Sequence, residues 1–384
     1  MGRLLAVFLA AVFLTMAAPL RAERWKVQYF FDENHDTMMI EDLAFPSSQR
    51  GIAVGTIYNQ FNPERNVRYI SLLTGDGGEH WAEVPLKDHP RSLFFLNDST
   101  GWLVTDSGLW FTQESGRSWL KISEQKKPDR KLGVTPPGGL ITRVWFVDPQ
   151  HGFAVGLQKT ALESLDGGKT WKPLEEAAKP EANAGHVVYS QIWMDGTKGV
   201  IFGSSIPPRV DDPHLPTWME PERAVKRKQI PTMTLLLQTL DSGATWRSST
   251  APLFGNIIAA RLAGSDGMAV FSFAEGFEWP ADVYHLNMTT GETKRVFAEK
   301  DRRVTDCAVF EGQRGFLAAV EPPGKLNTAP VPGKVKILKS ANLNDWEEMK
   351  VDYKAVARSV VLAGPDPEHQ WAATDTGFIL HLIP

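Results

Sequence analysis

The hydrophobic residues of this chain occur in short runs rather than in long periodic stretches. The runs are separated by turns in which glycine, proline and aspartate are plentiful. Short apolar runs bounded by such turn residues are typical of β-strands. No amphipathic helix of any length stands out, because the apolar positions do not repeat at helical spacing. The pattern predicts an all-β protein.

One turn sequence recurs between the strand-like runs. The segment 164–171, SLDGGKTW, has the form S/T-x-D-x-G-x-T-W, and 239–246 repeats it. A third copy, 74–81, has His80 in place of the threonine, and a fourth is 112–119. Segment 340–346 is a shorter, decayed fifth copy with Asn342 for the aspartate. The acidic and tryptophan positions of the four fuller copies are Asp76 and Trp81, Glu114 and Trp119, Asp166 and Trp171, and Asp241 and Trp246. Such self-similarity is typical of repeat architectures.

The composition of this box has a physical reason. A short carboxylate in a tight turn accepts hydrogen bonds from backbone N–H groups a few residues further on. Gly168 and Gly243 stand where we expect a positive φ. The tryptophan begins the next strand and is large enough to fill the gap between neighbouring sheets. We interpret the box as a fastened hairpin turn, since a calcium loop needs more oxygen ligands than one aspartate.

The runs group into repeats, each with an inner strand, a second strand and a hairpin. Six repeats follow one another over about 40–351, and the fifth lacks a box. A last repeat starting at Arg358 has only three strands, whereas 25–31 is a strand without a partner. Pairing the two would close a ring and remove an exposed edge. We therefore predict one domain over 23–384, a seven-bladed β-propeller with Asp-box turns closed by its N-terminal strand. Six or eight blades are the alternatives.

These boxes resemble the Asp-boxes, or bacterial neuraminidase repeats, of sialidase, xyloglucanase and sortilin-type propellers. The sequence ITRVWF at 141–146, followed by HGFAVG at 151–156 and the box, is most similar to the photosystem II stability/assembly factor family. The resemblance covers nearly all of the mature chain. It implies a propeller that binds a membrane-protein precursor through a basic surface. Enzymes and binding proteins share the box, so it is specific for the fold rather than for the function.

The charge of the chain departs from that implied basic surface. The net charge is −4, and it becomes −6 without the leader, which carries Arg3 and Arg21 and no acid. An acidic protein is a poor candidate for binding nucleic acid, and a photosynthetic role does not follow from the resemblance. Cys307 is the single cysteine, which excludes an internal disulfide.

The first residues predict a secretory signal. A short basic start precedes an apolar run over 4–18, and Ala22 is a small residue suited to cleavage. The run is short for a membrane span, although an uncleaved anchor is the alternative. We expect residues 1–22 to be removed and the protein to be exported, periplasmic or secreted. We expect a monomer without stable membrane insertion after cleavage.

Function is expected on the face of the propeller that carries the loops between second and third strands. Four of these loops are long, at 56–68, 204–232, 274–281 and 321–334. Long loops on a rigid scaffold commonly carry function, although neutral drift also lengthens them. Trp218, Phe277 and Trp279 are candidate binding anchors in these loops.

The inner strands begin with polar residues, which would surround the mouth of the central channel on the same face. These starts are Glu41-Asp42, Arg91-Ser92, Thr142-Arg143, Ser190-Gln191, Thr305-Asp306 and Arg358-Ser359. Convergent polar groups at a concave mouth are a default binding-site hypothesis, and solvated strand ends are the alternative. The candidate binding residues among them are Arg91, Arg143, Arg358, Asp42 and Asp306.

The alternative function is an extracytoplasmic glycoside hydrolase of the sialidase type. Arg91, Arg143 and Arg358 could form a carboxylate clamp, but the Arg-Ile-Pro signature of sialidases is absent. Asp42 with Asp306 is the best available carboxylate pair for glycoside hydrolysis. No metal-ligand spacing, phosphate loop or nucleotide fingerprint occurs, so we expect no metal and no cofactor. The sequence favours a non-enzymatic module that binds a protein, or a glycan.

Overall fold

The computed structural model describes residues 23–33, 35–59, 61–63, 66–125, 139–205, 232–253, 255–273, 280–322, 324–326 and 329–384. The predicted signal peptide and the anchors Trp218, Phe277 and Trp279 lie outside these residues. Strands dominate what is described, and helix is confined to α1 (Glu175–Ala178) and a 3-10 turn (Ala184–His186). Within the described ranges, no helix is long and apolar enough to cross a membrane.

The described strands form successive antiparallel units, numbered here along the chain. Unit 1 contains β2 (Asp36–Ala44), β3 (Gly51–Asn59), β4 (Arg68–Thr74) and β5 (Ala82–Leu86). Unit 2 contains β6 (Pro90–Phe95), β7 (Gly101–Thr105), β8 (Gly108–Thr112) and β9 (Leu120–Glu124). Unit 3 contains β10 (Leu140–Phe146), β11 (Gly152–Leu157), β12 (Ala161–Ser164) and β13 (Lys172–Pro173). Unit 4 contains β14 (Val187–Asp195), β15 (Lys198–Ser205), β16 (Thr232–Thr239) and β17 (Arg247–Leu253).

The second half of the chain repeats the arrangement. Unit 5 contains β18 (Asn256–Ala263), β19 (Asp266–Ser272), β20 (Ala281–Asn287) and β21 (Thr293–Ala298), so the box-less repeat has four strands. Unit 6 contains β22 (Arg303–Phe310), β23 (Arg314–Val320), β26 (Gly333–Ser340) and β27 (Glu347–Glu348). Short strands flank it, namely β24 (Gly324–Leu326), β25 (Ala329–Val331), β28 (Lys350–Val351) and β29 (Val356–Ala357). Unit 7 contains β30 (Val360–Asp366), β31 (His369–Thr374), β32 (Phe378–Ile383) and the N-terminal β1 (Arg24–Phe30).

The N-terminal strand completes the last unit, as the unpaired sequence run predicts. β1 pairs antiparallel with β32, from Arg24 opposite Ile383 to Phe30 opposite Phe378. Its other edge pairs in parallel with β28. Trp25 is buried and meets Phe316 of unit 6 edge-on, with ring centroids 6.1 Å apart. The N-terminal strand is therefore paired along its length with β32 and, at Arg24 and Trp25, with β28.

Aromatic residues lock neighbouring units together in the same way at two places. Trp102 of unit 2 stacks on Phe146 of unit 3 at 3.8 Å, and its indole N–H donates to Gly167 O at 3.0 Å. Trp371 of unit 7 stacks on Phe45 of unit 1 at 3.7 Å and donates to the carbonyl oxygen of a box glycine at 3.2 Å. Each contact joins a second strand to the box turn of the next unit, so the boxes also anchor the interfaces between units.

Hydrogen bonds close the box turns as their sequence suggests. Asp166 Oδ1 accepts from the Thr170 amide at 2.9 Å, and Oδ2 accepts from the Thr170 hydroxyl at 2.6 Å. Ser164 Oγ accepts from the amide of Gly168, whose φ is +93°. The copy at 239–246 has the same bonds. These contacts use the carboxylate inside the turn, which favours the structural interpretation of the box.

The box carboxylates should make stability depend on acid pH. The hydroxyl and amide of Thr170 lower the pKa of Asp166 from 3.8 to about 2. A pKa that is lower in the folded state gives stability that is complete above 3.8 and is lost as the pH falls toward 2. We expect Asp166→Asn to lower the Tm at pH 7 and the difference from wild type to vanish near pH 2. Calorimetry across this range tests it, with exposed Asp98→Asn as the control, and an undiminished difference at pH 2 would contradict it.

Candidate functional site at the channel mouth

A cavity of about 340 Å³ lies beside the first strands of six units. Units 1, 3, 4, 5, 6 and 7 all contribute to it, so it lies at the centre of their arrangement. Its lining consists of Asp42, Arg143, Gln191, Ile258, Arg261, Ser272, Arg303, Thr305, Asp306, Arg358, Ser359 and Val361. We call this space the channel-mouth cavity.

A β-bulge recurs in the first strand of units 1 to 6, near the start of the strand in units 2 to 6 and in the middle of β2 in unit 1. The register shifts lie between residues 40 and 42, 90 and 92, 141 and 143, 189 and 191, 257 and 259, and 304 and 306. A bulge adds one residue to a strand and re-aims the side chains beside it. The polar pairs found in the sequence coincide with five of these bulges, which explains why polar residues interrupt otherwise apolar inner strands.

The two cavity aspartates bridge neighbouring units. Asp42 accepts from its own neighbour's amide, Leu43 N, at 3.0 Å and from Leu93 N of unit 2 at 2.9 Å. Asp306 has the same arrangement, with bonds of 2.9 Å from Cys307 N and from Leu362 N of unit 7. Burial raises the pKa of Asp42, whereas the charge of Arg143 and the two amides oppose that change. Both side chains therefore serve as staples between first strands.

Neutral side chains make similar links between the first strands of neighbouring units. Ser92 Oγ donates to the carbonyl oxygen of Thr142 at 2.8 Å, and Gln191 Nε2 donates to that of Ile258 at 2.7 Å. Thr305 Oγ1 accepts from Val360 N at 3.1 Å. These links are partly buried, so the polar strand starts are more than solvated ends.

Four arginines line the cavity and differ in how they are paired. Arg261 lies 3.0 Å from Asp306 Oδ1, with its guanidinium 4.8 Å from the centre of the Trp193 ring. Arg358 bonds Asp375 at 2.9 Å. Arg143 lies 3.8 Å from Asp42, and Arg303 donates to the carbonyl oxygen of Arg358 at 2.6 Å. With two aspartates against four arginines, the lining is positive although the whole chain is acidic.

The cavity brings together most, but not all, of the predicted binding residues. Arg143, Arg358, Asp42 and Asp306 line it, whereas Arg91 lies outside and pairs with Asp106 at 2.6 Å. Arg91, Arg143 and Arg358 therefore do not share this cavity as the three members of a clamp. Arg261 and Arg303 also line the cavity and are not among the predicted binding residues. Arg261 comes two residues after the bulge of unit 5, whose bulge residues are apolar and gave no signal.

Aromatic rings form an arc one step further along the first strands. Phe94 and Trp145 have ring centroids 4.9 Å apart, and Trp145 and Trp193 are 4.5 Å apart. Arg261 continues the series over the Trp193 ring. These side chains are half-buried, and each comes two residues after the bulge of its unit. The arc fixes Arg261 from one side while Asp306 fixes it from the other.

No group of histidine, cysteine and acidic residues able to hold a metal ion is found in the described part of the chain. The arrangement instead offers cationic donors and neutral hydrogen-bonding groups in a concave space. Such a lining suits recognition of an anionic or strongly hydrogen-bonding group.

Sequence comparison relates part of the chain to one family. Residues 131–208 match the family model described as photosynthesis system II assembly factor YCF48. The photosystem II stability/assembly factor HCF136 of rice chloroplasts, from Oryza sativa subsp. japonica, is 25% identical over 167 residues. That alignment covers 40% of this chain and 33% of the rice protein, so the chain matches about a third of its relative's length.

Comparison with solved structures extends the likeness to almost the whole chain. A YCF48 bound to a D1 peptide is 15% identical, with a TM-score of 0.55 over 92% of this chain and 99% of the other. YCF48 from Cyanidioschyzon merolae is 13% identical, with a TM-score of 0.56 over 94% of this chain and 98% of the other. The β-propeller domain of the trilobed protease from Pyrococcus furiosus is 11% identical, with a TM-score of 0.50 over 90% and 95%. The chain is thus an all-β propeller that resembles the photosystem II stability/assembly factors.

Proposed function

We propose that this protein is an exported, non-enzymatic binding module that works in the manner of an assembly factor. In this proposal the seven strand units are the blades of a closed ring, and the partner binds the face that opens on the channel-mouth cavity. The observation that carries the proposal is the positive lining of this cavity in an acidic protein. The long loops predicted on the same face would supply further contacts.

The bonds of the two cavity aspartates argue against the hydrolase alternative. A glycosidase needs one carboxyl group to give a proton and a second to attack or to activate water. Asp42 and Asp306 each use both oxygens on backbone amides, and Asp306 also faces Arg261. They are 5% and 4% exposed, which leaves little surface for a substrate. A structural role accounts for each of these contacts.

A protein is the partner class that the comparisons favour. The solved YCF48 complex with a D1 peptide is an example of a peptide ligand on a propeller of this fold. In this proposal the protein is a monomer in the periplasm or outside the cell, where its partners would be segments of other proteins that lie outside the cytoplasm. A glycan is the other ligand that the sequence leaves open.

Capture of a partner tests the proposed function. We expect the immobilised protein to retain a specific partner from an envelope extract, and replacement of Trp218, Phe277 and Trp279 by alanine to weaken that retention. Aromatic anchors concentrate binding energy at interfaces, so the combined loss should exceed about tenfold in affinity. Leu165→Ala with Leu240→Ala is the control, because both are exposed apolar residues that lie in box turns and not in the long loops.

A panel of fluorogenic glycosides, sialosides included, tests the rival function on the same preparations. We expect no turnover above that of the buffer. Turnover that is lost in Asp42→Asn or Asp306→Asn, in protein that remains folded, would replace the proposed function with glycoside hydrolysis.

A further inference from the structure

We propose that the channel-mouth cavity binds an organic carboxylate and that Arg303 and Arg143 hold it. This inference rests on the proposed function, because it names the chemistry that the binding face would recognise. The carboxylate could belong to a small acid or to a peptide partner.

The pairing of the cavity charges leaves these two arginines for a ligand. Asp306 is neutralised by Arg261 at 3.0 Å, and Arg358 is neutralised by Asp375 at 2.9 Å. Asp42 is stabilised by two backbone amides, and its contact with Arg143 is long, at 3.8 Å.

The case for a ligand contact is stronger for Arg303 than for Arg143. Within the described residues, one of its terminal nitrogens donates to the carbonyl oxygen of Arg358, and it makes no ion pair with a carboxylate. Its other terminal nitrogen makes no hydrogen bond to the described residues and is not among their buried polar atoms. Because Arg303 lines the cavity, this nitrogen is the donor that an acceptor in the cavity would meet. A hydrogen bond between a guanidinium and a carboxylate is charge-assisted and therefore strong.

The shape and chemistry of the cavity favour a carboxylate. A planar guanidinium matches the two oxygens of a carboxylate with paired hydrogen bonds. Arg143 belongs to unit 3 and Arg303 to unit 6, so the two charges reach the cavity from well-separated units. This separation fits two carboxylate groups on one molecule better than one compact phosphate. Gln191, Thr305 and Ser359 offer neutral groups on the same lining.

Part of the cavity lining is held in place without a ligand. Arg261 is held between the Trp193 ring at 4.8 Å and Asp306, so its position is already fixed. The cavity volume, about 340 Å³, is in the range typical of small-ligand sites. A pre-formed site lowers the ordering cost of binding.

Calorimetric titration of the full chain with citrate tests the inference. We expect citrate to bind, and Arg303→Gln and Arg143→Gln each to weaken binding by about tenfold or more, because each removes a charge-assisted pair. Arg303→Lys keeps the positive charge but lacks the paired N–H donors of the guanidinium. Its affinity for citrate should therefore lie between those of Arg303→Gln and wild type. Exposed Arg247→Gln on β17 is the matched control and should bind citrate like wild type. The Tm of each variant checks that it is folded.

Two further probes test whether the carboxylate comes from a peptide and whether the cavity prefers carboxylates to phosphate. A short peptide with a free terminal carboxylate is compared with its amide, and binding of the free acid alone, weakened by Arg303→Gln, supports a peptide source. Inorganic phosphate is titrated in the same buffer. The inference is wrong if neither citrate nor the free-acid peptide binds, if Arg303→Gln and Arg143→Gln bind like Arg247→Gln, or if phosphate binds as tightly as the carboxylates. Partner capture by a protein that binds neither citrate nor the free-acid peptide would leave the proposed function standing and exclude only the carboxylate site.

Discussion

Deletion of residues 23–31 is expected to abolish the cooperative unfolding transition and to cause aggregation. Among the described strands, only β1 pairs with the edge of β32 that faces away from β31, and this pairing runs from Arg24 to Phe30. Its removal would expose the hydrogen-bonding edges of β32 and β28 together, and exposed edges pair with other chains. The packing of unit 7 against units 6 and 1 would be weakened.

The side chains of β1 make this loss large. Trp25 is buried in the core shared by units 6 and 7, where it contacts Phe316. Phe30 stacks on Phe378 at 4.3 Å, and the Trp25 carbonyl oxygen accepts from Asp352 N at 2.9 Å. Truncating one buried aromatic residue costs about 3–5 kcal/mol, a large part of the stability of an ordinary domain. Loss of the entire strand should therefore exceed what the fold can tolerate.

Point variants in β1 distinguish the effect of losing the whole strand from the effect of losing one buried side chain. We expect Trp25→Ala to unfold cooperatively with stability lower by about 3–5 kcal/mol. Lys26→Ala, at an exposed position of the same strand, should melt like wild type. Urea and thermal unfolding monitored by tryptophan fluorescence, together with light scattering, measure these effects. A deletion variant that melts cooperatively at the wild-type temperature would show that β1 does not close the ring.

Local sequence carries most of the fold because each unit is a local structure. The box turns, the short apolar runs and the unpaired N-terminal run can all be found within single repeats. Unit 5 has four strands without a box, since the Asn287 side chain closes its last hairpin by accepting from the amides of Thr289 and Thr290. An Asx turn of this kind replaces the box by the same chemistry.

The cavity could be predicted only in part, because its geometry arises between repeats. Polar residues at strand starts were visible as interruptions of apolar runs, and the bulges that explain them depend on pairing with the second strand. Arg261 stands in a strand whose bulge residues are apolar, so its place at the centre became clear only from the three-dimensional arrangement. Arg91 stands one position before the residue of unit 2 that corresponds to Arg143, and it pairs with Asp106 on the turn after β7, outside the cavity.

Substitution of Asp306 by alanine is the variant that best distinguishes a structural from a catalytic carboxylate. We expect it to lower the free energy of unfolding by about 3–5 kcal/mol, the range for breaking a buried charge pair by removing one partner. The change would leave Arg261 without its carboxylate and would remove the acceptor for two amides, Cys307 N and Leu362 N. The unit 6 to unit 7 interface would loosen.

Two related variants give the comparison that makes the result specific. Asp306→Asn keeps an oxygen acceptor and the side-chain volume, so it should retain more stability than Asp306→Ala. Asp42→Ala also removes two hydrogen bonds from backbone amides, those of Leu43 and Leu93. The ion pair that it removes is weaker than that of Asp306, because Arg143 is 3.8 Å away and one-third exposed. We therefore expect its loss to be the smaller of the two alanine variants. Urea midpoints measure all three, and an Asp306→Ala protein as stable as wild type would contradict the staple role, because a carboxylate that joins two units cannot be removed without weakening their interface.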